Sequence, residues 1–357
     1  VKVAVQLLRS FDRRSAIGRD VLEIDRVLRD AGFDTHIVCA RSTDPSATEP
    51  IGAFRTLVDA RTLVLYQHAI GWPAGVRLFR RSPGINCLRY QNVTPWRHFL
   101  RYDYGYVAAT WLGAVQTRRL ARIRRVACFL PNSEFTARDL GSDARSRCAI
   151  VAPLDGVDPV APDPATYRGL SDRTINLLSV GRLLPHKGVH HLIRALAVWK
   201  GRFPEPVRLC VVGAAVPRLA RYTRELHALA DTLGVSDAIH WAGVVSAGQL
   251  EAYYAAAAVL CVASHHEGFC VPIVEAMRRD VPVVAVATAG VPETAGGGAL
   301  LLADHDAEAL AVAARRAACE PALRDRLLRD ARVQLRERHD PAVQRRNLRA
   351  VIEGLRH

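Results

Sequence analysis

Two carboxylates and two cations stand at spacings that suit a phosphate-bearing ligand. In HHEGFCVPIVEAM, Glu267 closes a loop after a buried apolar run, and Glu275 follows eight positions later inside a helix that Pro272 helps to begin. The amides of Gly268, Phe269, Cys270 and Val271 fall at the mouth of that helix, where N–H groups and the helix dipole favour an anion. Carboxylates beside an anion site are wrong for anion binding alone. They suit a ligand with phosphate in its middle and hydroxyls at both ends, which describes a nucleotide sugar. In SVGRLLPHKGVHHLIRA, Arg182 follows a strand that ends at Gly181, and Lys187 sits five residues on, where the next helix begins. Open α/β sheets bind ligands at the carboxyl ends of their strands. Two cations there would neutralise a diphosphate leaving group. Lys occurs only at 2, 187 and 200 among 49 basic residues, which singles out Lys187 from ordinary surface charge.

The elements that must position these residues are legible from Thr174 onward. Short apolar runs at 174–180, 208–213, 238–243, 259–264, 281–286 and 299–303 alternate with helix-length stretches at 186–201, 216–233, 246–257, 271–280 and 306–318. Runs buried on two sides that alternate with helices predict a parallel sheet covered on both faces. The fold class is α/β, doubly wound. Strands are expected in the first part at 2–8, 34–39, 62–67, 85–90, 126–130 and 147–151. A helix opens near Gly18, carries Val21, Ile24, Leu28 and Ala31 on one face and stops at Gly32. The segment 154–173 is rich in Pro, Asp and Gly and reads as a linker. The expected architecture is two Rossmann-like domains facing a cleft, 1–155 and 156–335, with a charged tail helix at 336–357 folding back onto the first.

These strings resemble a known family. G-R-L-x-P-x-K-G, then E-G-F-x-x-P-x-x-E-A, then A-G-V-P-E at 289–293 are similar to the motifs of the retaining glycosyltransferases of family 4, glycosyl transferases group 1, which have the GT-B fold. The likeness covers the second domain. It extends more weakly into the first through AIGRDVLEIDRVLRDAGFDTHIV, YQNVTP (90–95) and NSEFTARDL (132–140). The resemblance implies that Arg182 and Lys187 hold the donor diphosphate and that Glu275 hydrogen-bonds the ribose hydroxyls. It implies that Glu267 contacts the donor sugar, with the amides of Phe269, Cys270 and Val271 on sugar or phosphate oxygens. Gly18 would let the opposite lobe's backbone approach the phosphates, and lobe closure would exclude water. Arg182, Lys187 and Glu267 form the expected catalytic set. No cofactor and no metal is expected. The subgroup usually carries His in the string matching YQNVTP and often another in the one matching LYQHAIG; here Gln91 and Gln67 stand there, with His68 beside the second. Gln donates and accepts hydrogen bonds but carries no proton. Gln91 is therefore read as a positioning residue on the acceptor side or the phosphate side, and His68 either as an acceptor-side residue or as a satisfied core or cleft histidine.

Length and composition bound the alternatives. A chain of 357 residues, half hydrophobic, carries material for two cores, which excludes a disordered tail or a disulfide-stapled miniprotein. Its eight cysteines lack zinc spacing and read as buried free thiols. With no bilayer-length apolar run and a strand at the start, the expectation is a cytoplasmic protein. Residues 1–150 hold 24 Arg and Lys against 13 Asp and Glu, a field that favours anionic partners. The stretch TRRLARIRR (117–125) has five arginines near Trp111, Leu112, Leu120 and Ile123. A solvated helix face is the default for it, and attachment to an anionic membrane on the inner face of the plasma membrane is the alternative. The pairs His190–His191 and His265–His266 have no third partner at ligand spacing and read as packing or solvent residues. The partners expected are a nucleotide-diphosphate sugar donor and a saccharide or lipid-linked acceptor in surface polysaccharide, lipopolysaccharide or glycolipid assembly. The rivals are an epimerase of the same fold and a basic nucleic-acid-binding protein. The second has no recognisable reader motif, so no nucleic-acid partner is expected.

Overall fold

The apolar runs become short strands because each is flanked by turn residues and buried on both faces. A computed structural model describes residues 2–154 and 160–355. Its first sheet holds β1 (Lys2–Phe11), β2 (Phe33–Ser42), β3 (Glu49–Pro50), β4 (Leu63–His68), β5 (Ile85–Tyr90) and β6 (Val126–Pro131), in the order β3-β2-β1-β4-β5-β6. Its second holds β7 (Ile175–Val180), β8 (Val207–Val212), β9 (Ile239–Gly243), β10 (Val259–Val262), β11 (Val283–Val286) and β12 (Ala299–Leu302), in the order β12-β11-β10-β7-β8-β9. All the strand pairs are parallel. Each sheet follows the doubly wound order, reversing between its first and fourth strands.

The chain forms two units: Val1–Arg97 with Gly105–Gly156 and His339–His357, and His98–Tyr104 with Val157–Arg338. In the first, the helix Ala16–Asp30 buries Val21, Ile24 and Leu28 against the sheet, and Gly32 stops it in the left-handed region at φ +82°. The helix Pro341–Gly354 adds Leu348 and Ile352 to the same core as Ile24 and Leu28. In the second, the helix Val189–Arg202 buries Leu192, Ile193, Leu196 and Trp199, meeting Leu310, Ala314 and Ala317 of the helix Ala307–Cys319. Residues 98–104 pack with this unit: the Tyr102 hydroxyl donates to Glu225 at 3.0 Å, and Arg218 grips Asp103 through two nitrogens.

Three local expectations change. The strand expected at 147–151 is only a bridge between Cys148 and Phe129: the Ala149 and Val151 amides donate to the Phe129 and Pro131 carbonyls, but Pro131 has no N–H to return the next bond of the ladder. The tail is not one helix from 336. The helix Pro321–Arg338 ends, and Asp340 caps a new one with Pro341 at its first position. Within the expected linker, Asp163 accepts from the Thr166 amide at 2.8 Å and starts the helix Pro164–Leu170. Residues 155–159, including the expected domain junction, lie outside the described residues.

Candidate functional site

β7 and β10 are sheet neighbours although two strands separate them in sequence, so their carboxyl ends flank the point where the strand order reverses. The loops leaving these ends are stitched together. Gly188, at φ +69°, lies so close to β10's exit that a Cβ on it would stand 1.8 Å from the Ala263 carbonyl oxygen. The His265 amide donates to the His186 carbonyl at 2.7 Å. Across this junction the Lys187 ammonium donates to Glu267 Oε1 at 2.7 Å, and the Ser264 hydroxyl donates to the same oxygen at 2.7 Å. The segment after β11 braces the loop from the other side. Thr288 Oγ1 donates to the Ser264 carbonyl at 2.5 Å, the Gly290 amide to the Glu267 carbonyl at 2.9 Å, and Thr294 Oγ1 to the Phe269 carbonyl. Gly290 of the A-G-V-P-E string and the two threonines that flank the string thus clamp the loop that carries Glu267.

Cys270 takes a left-handed backbone at φ +78°, and that turn opens the helix Val271–Met277. Glu275 lies one turn into it, buried, and accepts from the Tyr254 hydroxyl at 2.7 Å. The Arg279 guanidinium sits over the Tyr254 ring at 4.8 Å and is held by Glu251, with Nε to Oε2 at 2.7 Å. Burial by itself would weaken the Lys187 ammonium. The Glu267 carboxylate more than offsets it and raises the pKa, so Lys187 stays charged. Burial, with the Glu267 charge behind it, pushes the Cys270 thiol well above its usual range, so it is a packing residue and not a nucleophile. Arg182 is exposed, and its charge opposes those of Lys187 and His186. The structure therefore brings Lys187 and Glu267 into contact, runs Gly268, Phe269, Cys270 and Val271 on from Glu267, and sets Glu275 on the helix they open. A fixed cation, a turn of backbone and two carboxylates in one place can hold a ligand that mixes negative charge with hydroxyls.

The first-unit residues sit in a different environment. The Gly18 amide donates to Ser15 Oγ at 2.9 Å, and a Cβ on Gly18 would stand 2.0 Å from the Asp12 carbonyl oxygen, so this glycine admits its own chain. His68 is fully buried between the rings of Tyr66 and Tyr90, with Nε2 at 2.9 Å from Thr117 Oγ1. Thr117 spends its hydroxyl proton on the Gly113 carbonyl, so His68 is the donor in that pair. Burial drives its pKa down to about 4. Gln91 belongs to a head-to-tail relay of amides. Asn132 donates to Gln91 at 3.2 Å, Gln91 to Gln67 at 3.0 Å, Gln67 to Gln6 at 2.9 Å, and Gln6 to the Val21 carbonyl at 2.8 Å. Gln91 also donates to Asp20 at 2.5 Å. Each link gives with one end and takes with the other, which is the physical reason for an amide at positions 67 and 91.

Residues 168–334 match the family model of glycosyl transferases group 1. A D-inositol 3-phosphate glycosyltransferase 2 from Catenulispora acidiphila is 34% identical over 340 residues, spanning 80% of this chain and 78% of that protein. The chain belongs to the group 1 glycosyltransferases. A D-inositol 3-phosphate glycosyltransferase from Actinosynnema mirum is 35% identical over 164 residues, 44% of this chain; the match spans 39% of that protein, less than half its length. HepE of Anabaena, solved in complex with UDP and glucose, superposes over 99% of this chain and 100% of its own with a TM-score of 0.79 at 18% identity. That likeness is one of fold, the GT-B fold with its two Rossmann-like units.

This group 1 glycosyltransferase also contains functional-looking groups that sequence reasoning missed. Arg89 is fully buried, grips Asp20 with Nε at 2.9 Å and Nη2 at 3.0 Å, and donates to the Val151 and Leu130 carbonyls. Asp20 sits four residues before Ile24 on the helix's apolar face, and a carboxylate there was the signal available. The two histidine pairs are the second omission. Spacing along the chain offers neither a third partner, but the fold brings His190, His191 and His265 together.

Proposed function

We propose that this chain moves a hexose-type sugar from a nucleotide-diphosphate sugar to a saccharide or lipid-linked acceptor, with retention of configuration and no metal at the diphosphate, in surface polysaccharide or glycolipid assembly. The observation that carries the reading is the Lys187–Glu267 contact at the reversal point of the second sheet, with Glu275 one turn into the adjoining helix. The names of the relatives and the UDP and glucose in HepE support it. In the step proposed, the bond from sugar C1 to the diphosphate oxygen breaks. The acceptor hydroxyl oxygen bonds to C1 from the same face, and its proton passes to the departing phosphate. Arg182 and Lys187 meet the charge that develops on the diphosphate, Glu267 orients the sugar, and Glu275 holds the ribose hydroxyls. No proton passes through position 91, so Gln91 is compatible with the reaction.

A thermal-shift screen of UDP, GDP, ADP and their sugar conjugates, with chelator present, tests the donor site. A shift with one nucleotide class, lost in Lys187→Ala, is the expected result. No shift with any of them overturns the assignment. Consumption of the sugar nucleotide without an acceptor would favour the epimerase, and NMR of the anomeric centre in the product reads retention.

The basic stretch of the first unit fits a lipid-linked acceptor. Arg77 and Arg80 of the helix Pro73–Arg81 line a cavity of about 550 Å³ together with Arg119, Arg122, Val76 and Leu112. Among the described residues no helix is long and apolar enough to cross a membrane. We assign this basic-apolar groove to the surface of an anionic bilayer. Co-sedimentation with phosphatidylglycerol vesicles but not phosphatidylcholine vesicles, reduced in Arg119→Glu/Arg122→Glu, is expected. Equal sedimentation with both would remove the assignment.

A further inference from the structure

Four imidazoles converge on one flank of the second unit, and neither the fold core nor the proposed donor site uses them. His190 and His191 stand in the first turn of the helix Val189–Arg202, His265 in the loop leaving β10, and His305 between β12 and the helix Ala307–Cys319. One ring nitrogen from each of His190, His191 and His265 lies within 4.8 Å of the other two. The tightest edge is His191 Nε2 to His265 Nε2, at 3.1 Å. A tetrahedral ion with metal–nitrogen bonds of about 2.0–2.1 Å separates its ligand nitrogens by roughly 3.3 Å, so this edge is near coordination spacing already.

Two further observations point to a ligand. His190 Nδ1 faces the Tyr222 hydroxyl at 3.3 Å, an outer partner that fixes the ring and leaves its other nitrogen for the cluster. His305 packs on both His191 and His265, with ring centroids 4.4 and 4.1 Å away, and its Nε2 is buried with no hydrogen-bond partner. Simple aromatic packing would not leave that nitrogen stranded among other imidazoles.

We propose that His190, His191 and His265, with His305 as the fourth donor, bind one first-row transition-metal ion, zinc(II) being the occupant the all-nitrogen set suits. Nitrogen donors without a carboxylate select against magnesium and calcium, and zinc imposes no geometry of its own on a tetrahedral set. The ion ties the segment after Lys187 to the loop that carries Glu267. His191 lies four residues beyond that lysine, and His265 two before that glutamate. It would lock the frame of the donor site without touching the diphosphate. The inference holds whether or not the chain is a transferase.

The test is a cobalt(II) titration of the full chain, with any affinity tag removed and after dialysis against chelator, followed by the visible ligand-field bands of tetrahedral cobalt. Saturation at one equivalent, with the bands bleached by zinc, is expected. His191→Ala and His265→Ala should each weaken binding by about tenfold or more, His305→Ala should alter the bands, and His240→Gln, outside the cluster, should change nothing. Circular dichroism establishes that each variant folds, and His190→Ala and His191→Gln stand in for any that does not. Absence of saturable binding in the unaltered protein, or undiminished binding in the ligand variants, overturns the site. Unchanged bands in His305→Ala overturn its place in the set.

Discussion

A buried carboxylate with a fixed partner invites a sharper substitution than alanine. Glu275→Ala would remove the proposed ribose contact and also strand the buried Tyr254 hydroxyl, at a cost of about 1–3 kcal/mol. Glu275→Gln keeps an oxygen for Tyr254 while removing the charge. It should leave the melting temperature nearly unchanged and weaken nucleotide binding by roughly tenfold or more, the scale of a lost charge-assisted hydrogen bond. Calorimetric titration with the nucleotide found in the screen reads both. Equal affinity in the variant would take Glu275 out of the ribose contact. His68 makes a second prediction at this scale. Its ordinary pKa of 6.5 falls to about 4 in the folded protein through burial. Above pH 6.5 both states are neutral. As pH falls from 6.5 towards 4 the unfolded chain takes up a proton that the folded one refuses, so stability declines, by about 3 kcal/mol in all. Urea midpoints of the first unit should fall over this range, and His68→Leu should flatten the slope. An unaltered slope in that variant would mean that other groups carry the acid sensitivity.

At the scale of elements, Gly188 joins the two halves of the candidate site. Its left-handed φ of +69° already strains any other residue, and a Cβ at 1.8 Å from the Ala263 carbonyl cannot be relieved by rotating a side chain. Gly188→Ala should cost several kcal/mol, on the order of other strained backbone positions combined with a core clash, and should separate Lys187 from Glu267. Thermal melting and nucleotide binding should fall together. Preserved binding would show that the loop relaxes without disturbing the pair. This stitching was only partly legible in the sequence. The strand runs of the second unit were readable because they are short, apolar and punctuated, and Lys187, Glu267 and Glu275 stood out by type and spacing. What periodicity cannot encode is contact between distant segments. The clamp from Thr288, Gly290 and Thr294, the Asp20–Arg89 pair and the gathering of His190 with His265 each join residues more than twenty positions apart. β3 escaped notice for a different reason: it is two residues long and ends in Pro50, a sheet-edge pattern with almost no signal.

At the scale of the whole molecule, the two units repeat one winding, and the chain returns to the first after building the second. The return is the helix Pro341–Gly354. Leu348 and Ile352 enter the core that holds Ile24, Leu28 and Leu63. Around them, Arg345 pairs with Glu23 at 2.6 Å, Arg349 donates to the Asp30 carbonyl at 2.7 Å, and Gln344 accepts from the Ala152 amide at 3.2 Å. Glu23 is buried in that pair and is held by Arg26 as well, so Arg345 is one of its two partners, and the apolar burial dominates. Leu348→Ala should therefore cost the first unit about 2–5 kcal/mol. A chain stopped after Arg338 should lose more, because it exposes the facing surface of the helix Ala16–Asp30 and leaves Glu23 without Arg345. The second unit has its own core and should keep its transition, so melting should separate into two steps. Limited proteolysis reads the difference directly: cleavage within 2–154 of the shortened chain, with 160–338 persisting as a resistant fragment. Melting unchanged by the deletion would mean that the first sheet and its other helices suffice. Loss of both units together would mean that the second depends on a folded first.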